Sequence, residues 1–362
     1  MIKTAIFPGR YVQGIGALKE LGRWLGPLGS KALILSDAVV RPLTEATITA
    51  ALKDTGVTWR FESFGGEVTA REIARVGKAA TDSGSDLVVG VGGGKVVDTA
   101  RAAAFEAGAR LAIVPTTAST SAPCSCASVR YTADHEFDRV LVFPRNPDLV
   151  LVDTSIIAGA PARFLVAGIG DALATAYEAR ACFLSRGKTT AGGGITALGK
   201  LVAETCSSQL KTHALSAKKA IDLRTITPSV EVVVEAVVLM GCVGYENGGL
   251  AAAHSINNGL TVFPELRKSY HGETIAFTTV CQMVIDGYPE SEIAEHVHLC
   301  RALGLPVTLN GLGLPELDGG KLAKVAEKAL AAGESIHNQP FPLTEDEIVQ
   351  AILAADALAK AL

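Results

Sequence analysis

Short runs of apolar residues alternate with amphipathic stretches over the first part of the chain. The runs end at polar residues, glycine or proline, and they read KALIL at 31–35, LVVGV at 87–91, LAIV at 111–114 and LVLV at 149–152. Between them, residues 68–82 place apolar side chains along one helical face, and residues 95–107 are rich in helix formers. Because buried strands separated by helices are typical of a parallel sheet, this pattern predicts an α/β domain over residues 1–161.

Strand signals fade after Pro161, and long amphipathic or alanine-rich stretches replace them. These stretches have the length and periodicity of helices. The predicted helices cover residues 173–182, 191–210, 230–245, 290–303, 320–332 and 345–362. We therefore expect residues 162–362 to form an all-helical domain.

The composition agrees with two domains and weighs against some classes of partner. The chain has 362 residues, of which 48% are hydrophobic and 5% aromatic, which is enough apolar material for two large cores. The formal net charge of −4 gives no reason to expect binding to nucleic acid or to an anionic membrane surface. We therefore expect neither as a partner.

The cysteines and the apolar segments together predict a cytoplasmic protein. The seven cysteines lack the spacing of a disulfide framework, and their number is odd, which indicates free thiols in a reducing compartment. The most apolar segment, residues 230–243, contains Glu231 and Glu235 and is too short to span a membrane. Residues Pro8 to Arg10 interrupt the first apolar stretch, so we expect no signal peptide.

A glycine-rich loop follows the second of the clear strands. Residues 88–100 read VVGVGGGKVVDTA, so a buried strand runs into Gly92–Gly94 and a helix begins near Lys95. Glycines let the backbone approach a pyrophosphate, which the free N–H groups and positive dipole end of the helix would bind. Lys95 would add positive charge, and Asp98 could favour the helix N-terminus or hydrogen-bond the loop. The run matches neither G-x-G-x-x-G nor a Walker A motif, so a tight turn without a ligand stays open.

A carboxylate follows the first of these strands. Asp37 comes directly after KALIL and Ser36, at the end of the strand where open α/β sheets bind ligands. There it could accept hydrogen bonds from ribose hydroxyls and repel a 2′-phosphate, which favours NAD over NADP. An ordinary turn or capping aspartate is the alternative.

Three residues of the helical part could bind a metal ion. Asp171 lies in LVAGIGDALAT, His254 in GGLAAAHSINNG and His271 in SYHGE. A carboxylate in an apolar helix is costly unless it is paired or bound to a cation, and two histidines with one carboxylate suit zinc or ferrous iron. Taken singly, Asp171 could cap a helix and His254 could be a core histidine. Their spacing is too long for a local motif, so the residues alone do not join them.

Two further features of the sequence have simpler interpretations. His296 and His298 lie on different faces of one predicted helix, so we expect at least one of them to be exposed. Cys124 and Cys126 have no second pair nearby, which argues against a zinc ribbon or a thioredoxin-like site. We expect them to be small packing residues.

At this point the chain resembles the glycerol dehydrogenases, within the iron-containing alcohol dehydrogenase superfamily. The resemblance runs nearly from end to end, and its motifs occur in the family's order. They are IFPGRYVQG at 6–14, GVGGGKVVDTA at 90–100, VPTTAST at 114–120, NPDLVLVDT at 146–154, LVAGIGDALAT at 165–175, GGLAAAHSINNG at 248–259, YHGE at 270–273 and ESIHN at 334–338.

The resemblance implies a dehydroquinate synthase-like fold, with an α/β NAD-binding domain over 1–161 and an all-helical metal- and substrate-binding domain over 162–362. It implies a zinc ion, with Fe²⁺ as the alternative, on Asp171, His254 and His271. It also implies a homo-oligomer, commonly an octamer. The implied NAD contacts are Asp37, Gly93, Gly94, Lys95, Asp98, Thr116, Thr117, Ser119, Ser125, Ala127 and Tyr131.

The chain departs from the family pattern at three places. Ser121 stands where the family usually has an aspartate that is expected to contact the polyol. Asn257 replaces a second histidine, and residues 267–269 (Arg-Lys-Ser) replace histidines often found before YHGE. These departures leave the metal residues and the glycine loop intact and bear on the substrate.

The resemblance implies metal-dependent oxidation of glycerol to dihydroxyacetone, or of a similar vicinal diol, by hydride transfer to NAD. In that reaction Ser121 is a candidate for a proton relay. One alternative is a 2-hydroxy acid or 2-oxo acid oxidoreductase, because Ser121 removes a negative charge and Arg130 could attract an anion. Others are a dehydroquinate synthase-like lyase and a non-catalytic nucleotide sensor.

Overall fold

The computed structural model describes residues 2–314 and 319–362. The chain divides into two compact units. One contains residues 7–161 with 224–226, and the other contains residues 2–6, 162–223 and 227–362.

The first unit is built on a parallel sheet, which confirms the predicted α/β class. Among the described residues, six strands pair in the order β1-β8-β5-β4-β2-β3, and β6 and β7 form a separate antiparallel hairpin. The strands are β1 (Tyr11–Gly14), β2 (Lys31–Ser36), β3 (Thr58–Ser63), β4 (Leu87–Gly92), β5 (Arg110–Pro115), β6 (Ala127–Tyr131), β7 (Phe137–Val142) and β8 (Leu149–Asp153). The helices are α1 (Leu21–Leu25), α2 (Arg41–Leu52), α3 (Ala70–Ser83), α4 (Gly94–Glu106) and α5 (Thr154–Gly159).

The direction in which the sheet is wound reverses between β2 and β4. From β2 the chain adds β3 on one side, and it then returns to add β4, β5 and β8 on the other side. Ligands of open α/β sheets bind beyond the carboxyl ends of the strands at such a reversal. Asp37 directly follows β2 and Gly93 directly follows β4, so both flank this point.

The apolar pattern does not predict the edge strands of the sheet. The central strands β2, β4, β5 and β8 are almost wholly buried and read as continuous apolar runs. In contrast, β1 and β3 lie at the two edges, and their residues are partly exposed. Because an edge strand has one neighbour and more solvent, its sequence (YVQG or TWRFES) carries polar residues and escapes a search for buried runs.

The second unit is helical, as predicted. Its helices are α6 (Ala162–Ser185), α7 (Ala197–Asp222), α8 (Pro228–Glu235), α9 (Gly241–Gly248), α10 (Ala252–Leu260), α11 (His271–Ile285), α12 (Glu290–Leu303), α13 (Gly319–Ala329) and α14 (Glu345–Ala361). The pattern does not predict α11, because this helix is buried on nearly every side and so lacks the single apolar face of an amphipathic helix. Asp171 lies inside α6, so the alternative that it caps a helix is wrong.

Close contact between α6 and α11 depends on glycine. A Cβ added to Gly272 would overlap the carbonyl oxygen of Ala167, and a Cβ on Gly170 would overlap the carbonyl oxygen of Gly272. Only glycine therefore allows the two backbones to approach this closely. The contact places Asp171 of α6 beside His271 at the start of α11.

A continuous helical stretch runs from Pro228 to Gly248, because a π-helical turn (Ala236–Met240) joins α8 to α9. Its 21 residues are long and apolar enough to cross a membrane by length and composition, so the stretch is longer than residues 230–243 suggest. However, 56% of its most apolar window is buried inside the protein. Val230, Val233 and Val237 are wholly buried, so the stretch serves as a core helix of this unit.

Candidate metal centre and nucleotide-binding loop

Three helices of the second unit bring Asp171, His254 and His271 together. The Nε2 atoms of His254 and His271 lie 3.5 and 3.4 Å from Asp171 Oδ1, and the potential ligand atoms all lie within 4.8 Å of one another. Two ligands of a tetrahedral ion with bonds of about 2.1 Å lie about 3.4 Å apart. The two distances to Asp171 therefore fit a shared small cation with little rearrangement.

The three side chains differ in their exposure. The side chain of Asp171 is 9% exposed, that of His254 18% and that of His271 39%. The group is therefore buried on the α6 side and open beside His271. A cation held by three protein ligands with one open side can accept a further ligand from solution.

Glu178 contacts His254 on the side of the imidazole ring that faces away from Asp171. It lies on α6, two helical turns after Asp171, and its side chain is fully buried. His254 Nδ1 donates a hydrogen bond to Glu178 Oε2 at 2.6 Å, while the backbone N–H groups of Ala251 and His254 donate to Oε1 at 2.9 and 3.1 Å. The contact places the His254 proton on Nδ1 and leaves Nε2 as the atom that can bind a cation.

The charges around His254 favour a positive charge at this place. Burial alone would lower the pKa of His254, but the charge of Glu178 and hydrogen bonds to Asp171 and Glu178 outweigh it and raise the pKa to about 10. Burial likewise opposes ionisation of Asp171, yet His271 and His254 bring its pKa well below the usual range. Without a metal ion, a proton partly compensates the two carboxylates, and a divalent cation would do so more fully.

In the first unit, the glycine loop has the shape of an anion-binding helix start. Gly93 precedes α4 in an extended conformation, and no side chain caps the first turn. A Cβ added to Gly94 would meet nothing within 4 Å, whereas a Cβ on Gly90 would lie 2.7 Å from Ala100 Cβ. Gly90 therefore allows the strand to pack on the helix, while Gly94 borders open space in front of the free N–H groups of the helix start.

Two charged residues of this loop already have partners within the unit. Lys95 Nζ lies 2.7 Å from Glu67 Oε2, which also contacts His135 Nδ1 at 2.6 Å. Asp98 is buried and accepts hydrogen bonds from Arg101 at 2.8 Å and from the Val129 backbone N–H at 3.1 Å. The Asp98 carboxylate thus fixes α4 to the β6–β7 hairpin and does not cap the loop.

Asp37 and the residues after β5 lie at the carboxyl edge of the sheet. Asp37 Oδ1 accepts hydrogen bonds from the backbone N–H groups of Val39 and Val40, both at 2.8 Å. This is the turn aspartate of the alternative interpretation, but it employs only one of the two carboxylate oxygens. Thr116 N donates to Gly92 O at 3.1 Å, which ties the segment of Thr117 and Ser119 to the loop after β4.

The remaining predicted residues lie between β5 and β7. Ser121 and Ser125 are buried, Ala127 begins β6, and Tyr131 ends it. Burial and the charges of Asp98 and Glu67 raise the pKa of Tyr131 to about 12, so its hydroxyl stays protonated. Arg130 is paired with Asp138 across the hairpin at 2.6 Å, which opposes the idea that it attracts an anionic substrate.

The comparisons with known proteins all point to the same class of dehydrogenase, and together they cover the whole chain. The family model for iron-containing alcohol dehydrogenases matches residues 8–154. A glycerol dehydrogenase of Escherichia coli O6:H1 is 45% identical over 349 residues, which cover 96% of this chain and 95% of that protein. The chain belongs to the glycerol dehydrogenase family. It is therefore an oxidoreductase, as the resemblance implies.

Solved structures of the glycerol dehydrogenase family have the same fold. A probable glycerol dehydrogenase from Sinorhizobium meliloti 1021 superposes with a TM-score of 0.94 at 42% identity, covering 100% of both chains. The glycerol dehydrogenase of Schizosaccharomyces pombe superposes with a TM-score of 0.96 at 35% identity, covering 99% of this chain and 92% of that one. These relatives favour the glycerol dehydrogenase interpretation over the hydroxy acid and lyase alternatives.

Sequence reasoning missed two buried carboxylates beside the predicted site residues. Glu178 lies on the same face of α6 as Asp171, seven positions later, and this helical spacing could have identified it. Glu67 contacts Lys95 from 28 positions away in a loop, so no local pattern could have identified it.

Proposed function

We propose that this chain is an NAD-dependent, metal-dependent dehydrogenase that oxidises glycerol, or a similar small vicinal diol, by hydride transfer. The observation that carries the proposal is the group of Asp171, His254 and His271. The distances from Asp171 Oδ1 to the two histidine Nε2 atoms are those expected between ligands of one shared ion. A buried carboxylate with two histidines, one of which is held by a second buried carboxylate, is a favourable cation site. The names of the relatives give the class of substrate.

In the proposed reaction the metal ion and the nicotinamide carry the chemistry, and the protein residues hold them in place. A divalent ion at this centre supplies Lewis acidity toward the substrate hydroxyl, and the nicotinamide supplies the hydride acceptor. Asp171, His254 and His271 would hold the ion, and Glu178 fixes the orientation of His254. The side open beside His271 would admit the diol. We propose zinc as the ion, with Fe²⁺ as the other candidate, because this donor set suits both.

The first unit would bind the dinucleotide at the winding reversal of its sheet. The free N–H groups after Gly93 would bind the pyrophosphate, and the unused oxygen of Asp37 would accept from the ribose hydroxyls and disfavour a 2′-phosphate. This part of the proposal extends to Lys95, Asp98, Thr116, Thr117, Ser119, Ser125, Ala127 and Tyr131. Ser121 is proposed as part of the proton path from the substrate.

Removal and return of the metal tests the proposal. Protein treated with a chelator should lose the glycerol-dependent formation of NADH, followed by absorbance, and should regain it with Zn²⁺ or Fe²⁺. Undiminished activity in thoroughly metal-free protein would overturn the proposed role of the three residues. Net formation of NADH also separates this reaction from a lyase that recycles its NAD.

Substrate preference is tested by comparing kcat/KM for glycerol with kcat/KM for 2-oxo and 2-hydroxy acids. We expect glycerol or another vicinal diol to be preferred, because Arg130, the cation that could attract an acid, is already paired with Asp138. A preference for the acids would contradict the substrate class. We further propose a cytoplasmic homo-oligomer, for which light scattering measures the mass in solution.

A further inference from the structure

His271 has a neutral partner on the side that faces away from Asp171. The amide nitrogen Nδ2 of Asn257 lies 3.3 Å from His271 Nδ1. The amide oxygen Oδ1 forms a hydrogen bond with the hydroxyl of Thr274, and that hydroxyl also lies 2.7 Å from the carbonyl oxygen of His271. Asn257 and Thr274 are 7% and 6% exposed, so these groups must satisfy one another without solvent.

When His271 binds a cation, the available hydrogens allow only one hydrogen-bonding arrangement between His271 and Asn257. His271 Nε2 points toward Asp171, 3.4 Å away, and it must offer a lone pair to bind an ion. A neutral imidazole then carries its single proton on Nδ1 and becomes a donor there. An amide nitrogen cannot accept that hydrogen, but an amide oxygen can. The partner atom of Asn257 must therefore be its oxygen, with the amide turned by 180° about its last bond.

Thr274 has the hydrogen-bonding capacity that this turned amide needs. Its hydroxyl has one hydrogen, which it can donate to the carbonyl oxygen of His271. Its lone pairs are then free to accept from Asn257 Nδ2. In this arrangement the His271 Nδ1 hydrogen, the Thr274 hydroxyl hydrogen and one of the two Asn257 amide hydrogens each have an acceptor. The threonine therefore holds the amide in the orientation that His271 requires.

We propose that Asn257 is a positioning residue for the metal centre, whose amide oxygen accepts the His271 Nδ1 hydrogen while Thr274 fixes the amide in that orientation. The inference rests on the proposed function, because it assumes that His271 binds an ion through Nε2. It gives a role to one of the three places where the chain departs from the family pattern. The Nδ1 atoms of the two histidines then have different hydrogen-bond partners: a carboxylate for His254 and an amide for His271.

The test measures Zn²⁺ affinity of metal-free full-length protein by competition with a chromophoric chelator. In Asn257→Leu, which removes the acceptor at similar volume, we expect affinity to fall about 10- to 100-fold, as for other partners of metal-bound histidines. Asn257→Asp keeps an acceptor and adds negative charge, so its affinity should equal or exceed that of the wild type. Thr274→Val should show a smaller loss than Asn257→Leu, and Thr274→Ser none.

Asn258→Leu is the matched control, because Asn258 lies next along α10 and contacts Glu334 at 3.0 Å. Its Zn²⁺ affinity should stay at the wild-type value. Unchanged affinity in Asn257→Leu would overturn the proposal, and so would equal losses in Asn257→Leu and Asn257→Asp, because then a donor and not an acceptor is needed. If the wild type itself binds no Zn²⁺, the proposed function fails first, which is a distinct result.

Discussion

The two candidate sites of this molecule are built in opposite ways. The glycine loop is a contiguous strand, turn and helix start whose binding groups are backbone N–H groups beside open space. The metal centre takes one side chain from each of three helices, and its polar atoms are already joined by charge and hydrogen bonds. The first site therefore depends on the path of the backbone, and the second depends on how helices pack.

This difference predicts how each site responds to substitution. At the metal centre, replacement of one polar atom leaves a buried partner uncompensated, so effects on ligand binding should be large. In the loop, a side chain added where there is open space affects only the ligand that would occupy that space. Substitutions at the two sites should thus differ in size and in whether they also change the fold.

The largest expected effect is that of Asp171→Asn. The substitution keeps the shape of the side chain but removes the negative charge shared by His254 and His271. We expect loss of tight Zn²⁺ binding and a decrease in kcat/KM for glycerol of about 10³-fold or more, since the ion is asked to supply several kcal/mol.

Titration with NAD is the control for Asp171→Asn. The dissociation constant of NAD should stay near the wild-type value, because the proposed dinucleotide residues belong to the other unit. Wild-type Zn²⁺ affinity in this variant would show that Asp171 is not a ligand.

The sequence predicted the glycine loop and the central strands because each is a local pattern. LVVGVGGGK specifies a buried strand, a turn and a helix start within a few residues. The metal residues lie at 171, 254 and 271, and no local periodicity joins them; only the resemblance to a family did. Glu178 and Asn257 are harder still, because their roles follow from contacts across helices that a pattern in one segment cannot contain.

Glu178→Gln tests whether the support behind His254 matters as the geometry suggests. The substitution removes the charge and can present a donor to His254 Nδ1, so we expect Zn²⁺ affinity to fall about 10- to 100-fold. Asp356→Asn is a suitable control, since Asp356 is another buried carboxylate, which contacts Leu309 and Lys360. Its substitution should alter stability and leave Zn²⁺ affinity unchanged. Equal losses of affinity in both variants would point to general damage.

A buried histidine gives the helical unit a predicted sensitivity to acid. His296 is 1% exposed, and burial lowers its pKa to about 4, with a smaller opposing effect from the Ala276 carbonyl. Its ordinary pKa is 6.5, so the unfolded chain binds this proton first as the pH falls. The contribution of His296 to stability is fully present above pH 6.5 and is lost as the pH falls toward 4. By pH 5 the loss amounts to about 2 kcal/mol.

His296→Leu measures that contribution, because it removes the titrating group from the same buried place. Urea unfolding at pH 8 and pH 5 should show a decrease in stability on acidification that is smaller in the variant by about 2 kcal/mol. His298→Leu is the control, since His298 is exposed on the same helix. An equal pH dependence in wild type and His296→Leu would show that folding does not lower the pKa of His296.

The smallest expected effect separates ligand binding from packing within the glycine loop. A Cβ on Gly94 meets no atom within 4 Å, so Gly94→Ala should fold with unchanged or slightly higher stability, yet its methyl group would stand where the pyrophosphate is proposed to lie. We expect the KM for NAD to rise about tenfold, or about 1.4 kcal/mol.

Gly90→Ala is the reciprocal case, since its Cβ would lie 2.7 Å from Ala100 Cβ and should lower stability by about 1–3 kcal/mol. If Gly94→Ala binds NAD as the wild type does, the open space is not the pyrophosphate site. The glycine loop would then no longer be an example of a site built from backbone groups, and the contrast with the metal centre would fail.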